Sequence, residues 1–225
     1  MTAGKNTWTQ VDRYAAASLL AADPALDAVL AHNRASGLPA IDVSPLQGKF
    51  LNLVARMCRA RHVLEIGTLG GYSTIWMARA LQVDGRIVTL ELDESHAAAA
   101  RRNFVTAGVA DRVDLRVGQA LSSLAKLDAD RAGPFDLIFI DADKPNNERY
   151  LAWALRLSRP GTVIICDNVI RDGAVIEAGS RDDGVQGARA VFSFFGNHPE
   201  LEATAIQTVG DKGYDGFAMA IVGEH

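Results

Sequence analysis

Phe135–Lys144 reads FDLIFIDADK, and Cys166–Val169 reads CDNV. In each, a short apolar run stops abruptly at acidic or amide side chains. Such runs, bounded by polar punctuation, suit strands buried on both faces of a parallel sheet. The polar residues then stand at the carboxyl ends of the strands, the edge at which open α/β sheets bind ligands. Asp141, Asp167 and Asn168 offer only oxygen ligands, which suits a hard cation such as Mg²⁺ or Ca²⁺. Lys144 lies three residues beyond Asp141 and is placed to act as a base beside that ion. The two strand ends therefore predict metal-assisted chemistry at the lip of a parallel sheet.

The flanking sequence supports that sheet. Strand and helix patterns alternate from residue 62: strands at His62–Ile66, Arg86–Glu91, Val113–Val117, Phe135–Ile140 and Thr162–Cys166, with helices at Ser73–Leu81, Glu94–Ala107, Ala120–Leu127 and Asn146–Leu157. This rhythm implies right-handed β/α crossovers. Before it, residues 8–37 read as helical with a break at Asp23-Pro24, and Ser44-Pro45 opens a further helix to about Ala60. After Asn168 the rhythm is lost. Arg171–Gly187, rich in Gly, Asp and Arg, reads as a mobile loop, followed by a helix at Gln186–Phe195. Leu201–Val209 and Gly216–Val222 read as strands joined by the turn Gly210–Asp215, so the last enters antiparallel. The expected fold is α/β, a seven-stranded, mostly parallel Rossmann-like sheet with an antiparallel last strand. The chain is expected to form a single domain over 1–225, with N-terminal helices over 1–60 covering the core of 61–225.

Composition narrows the function classes. The 225 residues are 48% hydrophobic and 22% charged, with a formal net charge of −4. An acidic balance disfavours nucleic acid as the main partner. No apolar run approaches a membrane span, and the N-terminus lacks the apolar core of a signal peptide. Cys58 and Cys166 lie in apolar contexts without CxxC spacing, as two buried free thiols of a reducing compartment. A cytoplasmic location is expected. The five histidines show no metal-ligand spacing. Trp8, Trp76 and Trp153 read as packing residues, with a border of the acceptor pocket as the lesser alternative for Trp153.

Val63–Thr74, VLEIGTLGGYST, runs a strand through a glycine turn into a helix. Its glycines permit a sharp turn and close approach to a ligand, and the helix start offers free N–H groups. Leu69 stands where the second glycine of a dinucleotide fingerprint belongs, which disfavours NAD. Glu65, in the strand, would repel a pyrophosphate and attract a cationic ligand. Glu91 ends the next strand, where a carboxylate accepts both hydroxyls of a ribose. A ligand with a ribose and a positive amino or sulfonium group fits both acids, and S-adenosylmethionine is such a molecule.

EIGTLGGYS, LELD, FIDADK and CDNV, in this order, resemble the cation-dependent O-methyltransferases, among them the catechol and caffeoyl-CoA enzymes and their bacterial relatives. The resemblance extends to SPLQGKFLNLV at Ser44–Val54 and KGYDGFAMAIV at Lys212–Val222. It implies that Glu65, Gly67, Thr68 and Ser73 line the methionine end of S-adenosylmethionine, with Ser73 at its carboxylate. Glu91 would hold the ribose, Ala120 would touch the adenine, and the Val43 backbone would close over the cofactor. Asp141, Asp167 and Asn168 would hold the metal (Mg²⁺, with Ca²⁺ or Mn²⁺ as alternatives), and Asp141 would also lie close to the cofactor's amino group or the acceptor. A homodimer is implied as well. Arg171–Gly187 lacks the aromatic content of a plant-type substrate loop.

The implied reaction is methyl transfer to a hydroxyl of a small phenolic, catechol-type acceptor. A free phenol has a pKa of about 10, and a divalent ion lowers it while fixing both oxygens. Lys144, the candidate general base, normally titrates at about 10.4, so the cation and burial must depress it. Two rivals are a nicotinamide-dependent oxidoreductase, disfavoured by Leu69, and a non-catalytic S-adenosylmethionine-binding protein, disfavoured by the intact ligand set.

Overall fold

The computed structural model describes residues 2–224. Three helices precede the first strand: α1 (Thr2–Leu19), α2 (Pro24–Ala35) and α3 (Pro45–Met57). The starts of α2 and α3 follow from their sequences. The Asp23 carboxylate accepts from the Leu26 amide at 3.1 Å, and the Ser44 hydroxyl accepts from the Gln47 amide at 3.1 Å. In both helices proline fills the first position, where its missing N–H costs nothing.

Alternation then follows as β1 (His62–Ile66), α4 (Tyr72–Ala78), β2 (Arg86–Glu91), α5 (Glu94–Thr106), β3 (Val113–Val117), α6 (Ala120–Ala129), β4 (Leu137–Ile140), α7 (Asn147–Arg156) and β5 (Val163–Asp167). The chain ends in α8 (Asp183–Asn197), β6 (Leu201–Gly210) and β7 (Gly213–Val222). The seven strands form one sheet in the order β3-β2-β1-β4-β5-β7-β6, with β7 antiparallel to both neighbours. The expected sheet is thus observed, including its antiparallel last strand.

Period-two alternation divides the core between the two faces. Leu64, Ile66, Ile138 and Ile140 face a layer of α6, α7 and α8 through Leu124, Leu151 and Phe195. Val63, Ile87, Leu137 and Phe139 face the opposite layer through Leu51, Ile75 and Phe104. The central strands are mostly apolar because both faces are covered, with Glu65 on β1 and Thr89 on β2 as buried polar exceptions. Edge strand β6 is exposed at most positions. No helix among the described residues is long and apolar enough to cross a membrane.

Three expectations need correction. Arg171–Gly187 is not one loop: a short 3-10 segment spans Arg171–Ile176, and α8 begins at Asp183, where the Asp182 carboxylate accepts from the Val185 amide at 2.9 Å. Gly187 lies inside α8 because a Cβ there would stand 1.9 Å from the Lys144 carbonyl oxygen. It marks a close approach, not a loop. The final hairpin turn is Asp211-Lys212 alone, because Gly213 reverses the chain at φ +107°. Of the two thiols, Cys166 is buried and Cys58 only partly so; burial pushes the Cys166 thiol up to about 12.

Candidate active site

The carboxyl ends of the parallel strands open into one cavity of about 820 Å³. That volume lies within the range of about 300–1,000 Å³ typical of small-molecule sites. Its wall takes Gly67, Thr68, Leu69 and Ser73 after β1, Glu91 and Leu92 after β2, and Gln119 and Ala120 after β3. Asp141–Lys144 follow β4, and Asn168 and Arg171 follow β5. Val43, with Ile41 and Asp42, completes the wall from the strap between α2 and α3.

The glycine turn is built around Glu91. Its carboxylate accepts from the amides of Leu69 at 2.7 Å, Thr68 at 3.2 Å and Asp93 at 3.0 Å. Leu69 tolerates φ +50° because the carboxylate fixes the turn around it. Gly67 has φ +101°, and a Cβ there would lie 2.1 Å from the Asp141 carbonyl oxygen. The β1 turn therefore rests directly on the end of β4 and sets the glycine-turn wall of the cavity against Asp141.

Glu65 departs from expectation. It is fully buried behind the wall and does not line the cavity. Its oxygens accept from the hydroxyls of Ser73 at 2.6 Å, Thr89 at 2.6 Å and Thr74. Burial pushes its carboxyl up to about 7 against those three hydrogen bonds. Glu65 thus orients Ser73, which does line the cavity.

At the other end, Ile140 pairs with Cys166 across β4 and β5, so Asp141 and Asp167 leave the sheet as neighbours. Asp167 is buried; its oxygens accept from the Gln47 side-chain amide at 2.6 Å and the Asn168 backbone amide at 2.9 Å. Burial, reinforced by the Asp141 charge, pushes its carboxyl up to about 7. Asn168 turns at φ +56° and lines the cavity, and its side-chain amide makes no hydrogen bond among the described residues. Lys144 Nζ donates to Asp141 Oδ1 at 2.9 Å. Burial favours its neutral amine, but the charge of Asp141 and its neighbours outweighs burial and holds Lys144 above the ordinary lysine range. The expected depression is therefore absent while the carboxylates carry full negative charge.

Among the described residues, no group of three or more His, Cys, Asp or Glu is arranged to hold a metal ion. The expected set is smaller, two carboxylates and an amide, and it fits a hard cation. All three groups supply oxygen, and two acids stand side by side at the strand ends, with Lys144 as the cation hydrogen-bonded to Asp141.

Several site residues carried no sequence signal. Gln47 reaches Asp167 from 120 positions away in the chain. Lys212, in the β6–β7 turn, donates to the carbonyls of Asp42 and Ala40 and ties down the strap. The Asn33 amide holds the Asp42 carboxylate at 2.8 Å from below. Asp143 accepts from the Tyr150 hydroxyl at 2.5 Å. His96 lines the cavity 3.5 Å from Glu91. Trp153 packs against the core as expected, with the Arg156 guanidinium 5.7 Å from its ring.

An open α/β sheet in this order, with a glycine turn on β1 and an acid ending β2, is the Rossmann-like fold of class I, S-adenosylmethionine-dependent methyltransferases. Residues 21–211 match the model of the O-methyltransferase family, and the chain belongs to that family. It is 53% identical over 212 residues to a catechol O-methyltransferase of Niastella koreensis, covering 94% of this chain and 96% of that protein. It is 55% identical over 212 residues to a catechol O-methyltransferase of Mycobacterium tuberculosis, covering 94% of each. The crystal structure of an O-methyltransferase from Bacillus cereus in complex with SAH superposes with a TM-score of 0.95 at 56% identity, covering 96% of this chain and 99% of that one. Family membership sets aside both the nicotinamide oxidoreductase and the non-catalytic binder.

Proposed function

We propose that this chain transfers a methyl group from S-adenosylmethionine to one hydroxyl of a catechol-type acceptor, with a divalent cation, Mg²⁺ in first place, held by Asp141, Asp167 and Asn168. The observation that carries this reading is the buried Asp167 beside Asp141 at the cavity's β4–β5 end, with Lys144 against them. The names of the close relatives support the acceptor class. The cofactor runs along the loops after β1, β2 and β3. Ser73, with Gly67 and Thr68, receives its methionine end, Glu91 its ribose and Ala120 its adenine, while the Val43 strap covers it.

A cation at the two carboxylates supplies a lowered phenol pKa and a fixed position for both catechol oxygens. This chain's own residues do the rest. Lys144 takes the hydroxyl proton at Nζ. Burial of Lys144 favours the neutral amine that accepts this proton, and a cation held by Asp141 and Asp167 would offset the carboxylate charge that opposes it. The glycine turn and the strap fix the sulfonium methyl in line with the phenolate oxygen. Opposite charges cancel as the methyl transfers, so a cavity that excludes water does not oppose the step.

The exposed apolar side chains of α1, Val11, Tyr14 and Leu19, support a homodimer formed through the N-terminal helices. The free thiols suit a reducing, cytoplasmic setting. Replacing Asp141 or Asp167 by alanine is expected to abolish metal-dependent turnover in a labelled-methyl transfer assay. Full activity in either variant would remove the proposed mechanism.

A further inference from the structure

Five arginines are half-buried: Arg79, Arg112, Arg116, Arg171 and Arg189. Four of them commit their guanidinium groups. Arg79 pairs with Asp23, Arg116 with Asp114, Arg112 reaches the Leu81 carbonyl, and Arg189 the Val175 carbonyl. Arg171 alone has no side-chain hydrogen bond or ion pair among the described residues, and it lines the cavity. Arg149, on the same wall, makes only a 3.4 Å contact with the Asn146 side chain.

Their placement is specific. Arg171 follows β5 and Arg149 sits in the first turn of α7, after β4. Together they flank Asp141, Lys144 and Asn168, at the end of the cavity away from the β1–β3 loops. Arg171 is held there at a backbone cost: Arg171 and Asp172 have φ of +56° and +53°. Asp215 enforces that turn, because its Oδ1 accepts from the amides of Ile170 at 3.0 Å, Arg171 at 3.1 Å and Gly216 at 2.9 Å. An over-determined, unfavourable backbone that holds an unpaired guanidinium at the cavity wall, beside Gly184 at the start of α8, points to a ligand. Asp143, the other carboxylate of this stretch of wall, already accepts from Tyr150 and from the Asn146 amide at 2.5 Å each. The donors left free are two planar guanidinium groups, which match a carboxylate in shape and charge.

We propose that Arg171, assisted by Arg149, recognises a carboxylate on the acceptor, so that the preferred substrate is a vicinal diphenol carrying an acid group. This inference rests on the proposed reading of the β4–β5 end as the acceptor site.

The test compares 3,4-dihydroxybenzoate, its neutral methyl ester and catechol. Affinities are measured by calorimetry on protein saturated with S-adenosylhomocysteine and Mg²⁺, and kcat/KM is measured with S-adenosylmethionine. The acid is expected to be preferred over its ester by about tenfold or more. That preference is expected to collapse in Arg171→Gln, to return in part in Arg171→Lys, and to weaken less in Arg149→Gln. Equal affinity for acid and ester in the unmodified protein overturns the proposal, whatever the variants do. A preference that survives both glutamine substitutions overturns it too. Arg171-dependent binding of the acid without methylation of any catechol would remove the reaction and leave the anion site standing. Methylation of catechol without preference for the acid would do the reverse.

Discussion

Glu65 shows how a residue buried behind the cavity wall can set the wall's geometry. Its carboxylate gathers three hydroxyls, those of Ser73, Thr74 and Thr89, in a site with no solvent exposure. Glu65→Ala leaves those hydroxyls without their acceptor and opens a cavity, and is expected to destabilise the protein by about 3 kcal/mol in denaturant unfolding. Because burial raises its pKa from 4.5 to about 7, the folded state holds a proton that the unfolded state has already lost across that window. The Glu65 contribution to stability is thus fully present below about pH 4.5 and is lost as pH rises toward 7. The stability difference between wild type and Glu65→Gln, followed from pH 4 to pH 8, is expected to show this slope; a flat difference would contradict it. In the sequence, Glu65 was legible as an acid beside a glycine turn. Its partners were not, because Thr89 lies on another strand and Ser73 only folds back onto it when α4 forms. Gln47 was illegible for the same reason, since its contact with Asp167 exists only once α3 is laid across the sheet.

At the scale of elements, strand limits were readable and glycine was ambiguous. β1, β2 and β4 lie where apolar runs and punctuation place them, because strands covered on both faces are dominated by apolar residues, whereas edge strand β3, VDLRV, is only partly buried. The start of α8 did not, since glycines at Gly184 and Gly187 imitate a loop. Gly187→Ala tests the distinction. In an unobstructed helix the change gains about 1 kcal/mol, whereas a Cβ 1.9 Å from the Lys144 carbonyl forces α8 and the Lys144 segment apart. Overpacking of this kind costs about 1–3 kcal/mol, so the variant is expected to be less stable and to lose kcat through displacement of Lys144. A more stable, fully active variant would mean that the segment yields freely. The strap offers a second test. Lys212 lies where burial pushes its ammonium below the ordinary lysine range, and its donors hold the carbonyls of Ala40 and Asp42. Lys212→Met keeps the apolar stem and removes the tie. The KM for S-adenosylmethionine is expected to rise about 5- to 10-fold; an unchanged KM would show that Asn33 alone secures the strap.

For the whole molecule, the sheet order becomes a linear map of the site. Under the proposed function, loops after β3, β2 and β1 would face the cofactor in turn and those after β4 and β5 the acceptor, so one edge of the sheet would bring methyl donor and acceptor end to end. The antiparallel β7 contributes by closing the far side: Asp215 holds the Arg171 turn, and Lys212 holds the strap over the other end. Helices α2 and α3 matter to this map more than their distance in sequence suggests, since they carry Asn33, the strap and Gln47. The most direct test of the central claim is methyl transfer from labelled S-adenosylmethionine to a catechol, with Mg²⁺ and after EDTA. Transfer that requires the cation and returns when Mg²⁺ is restored is the predicted result. Equal transfer in EDTA, with S-adenosylmethionine bound, would contradict the assignment of Asp141, Asp167 and Asn168 as a metal site.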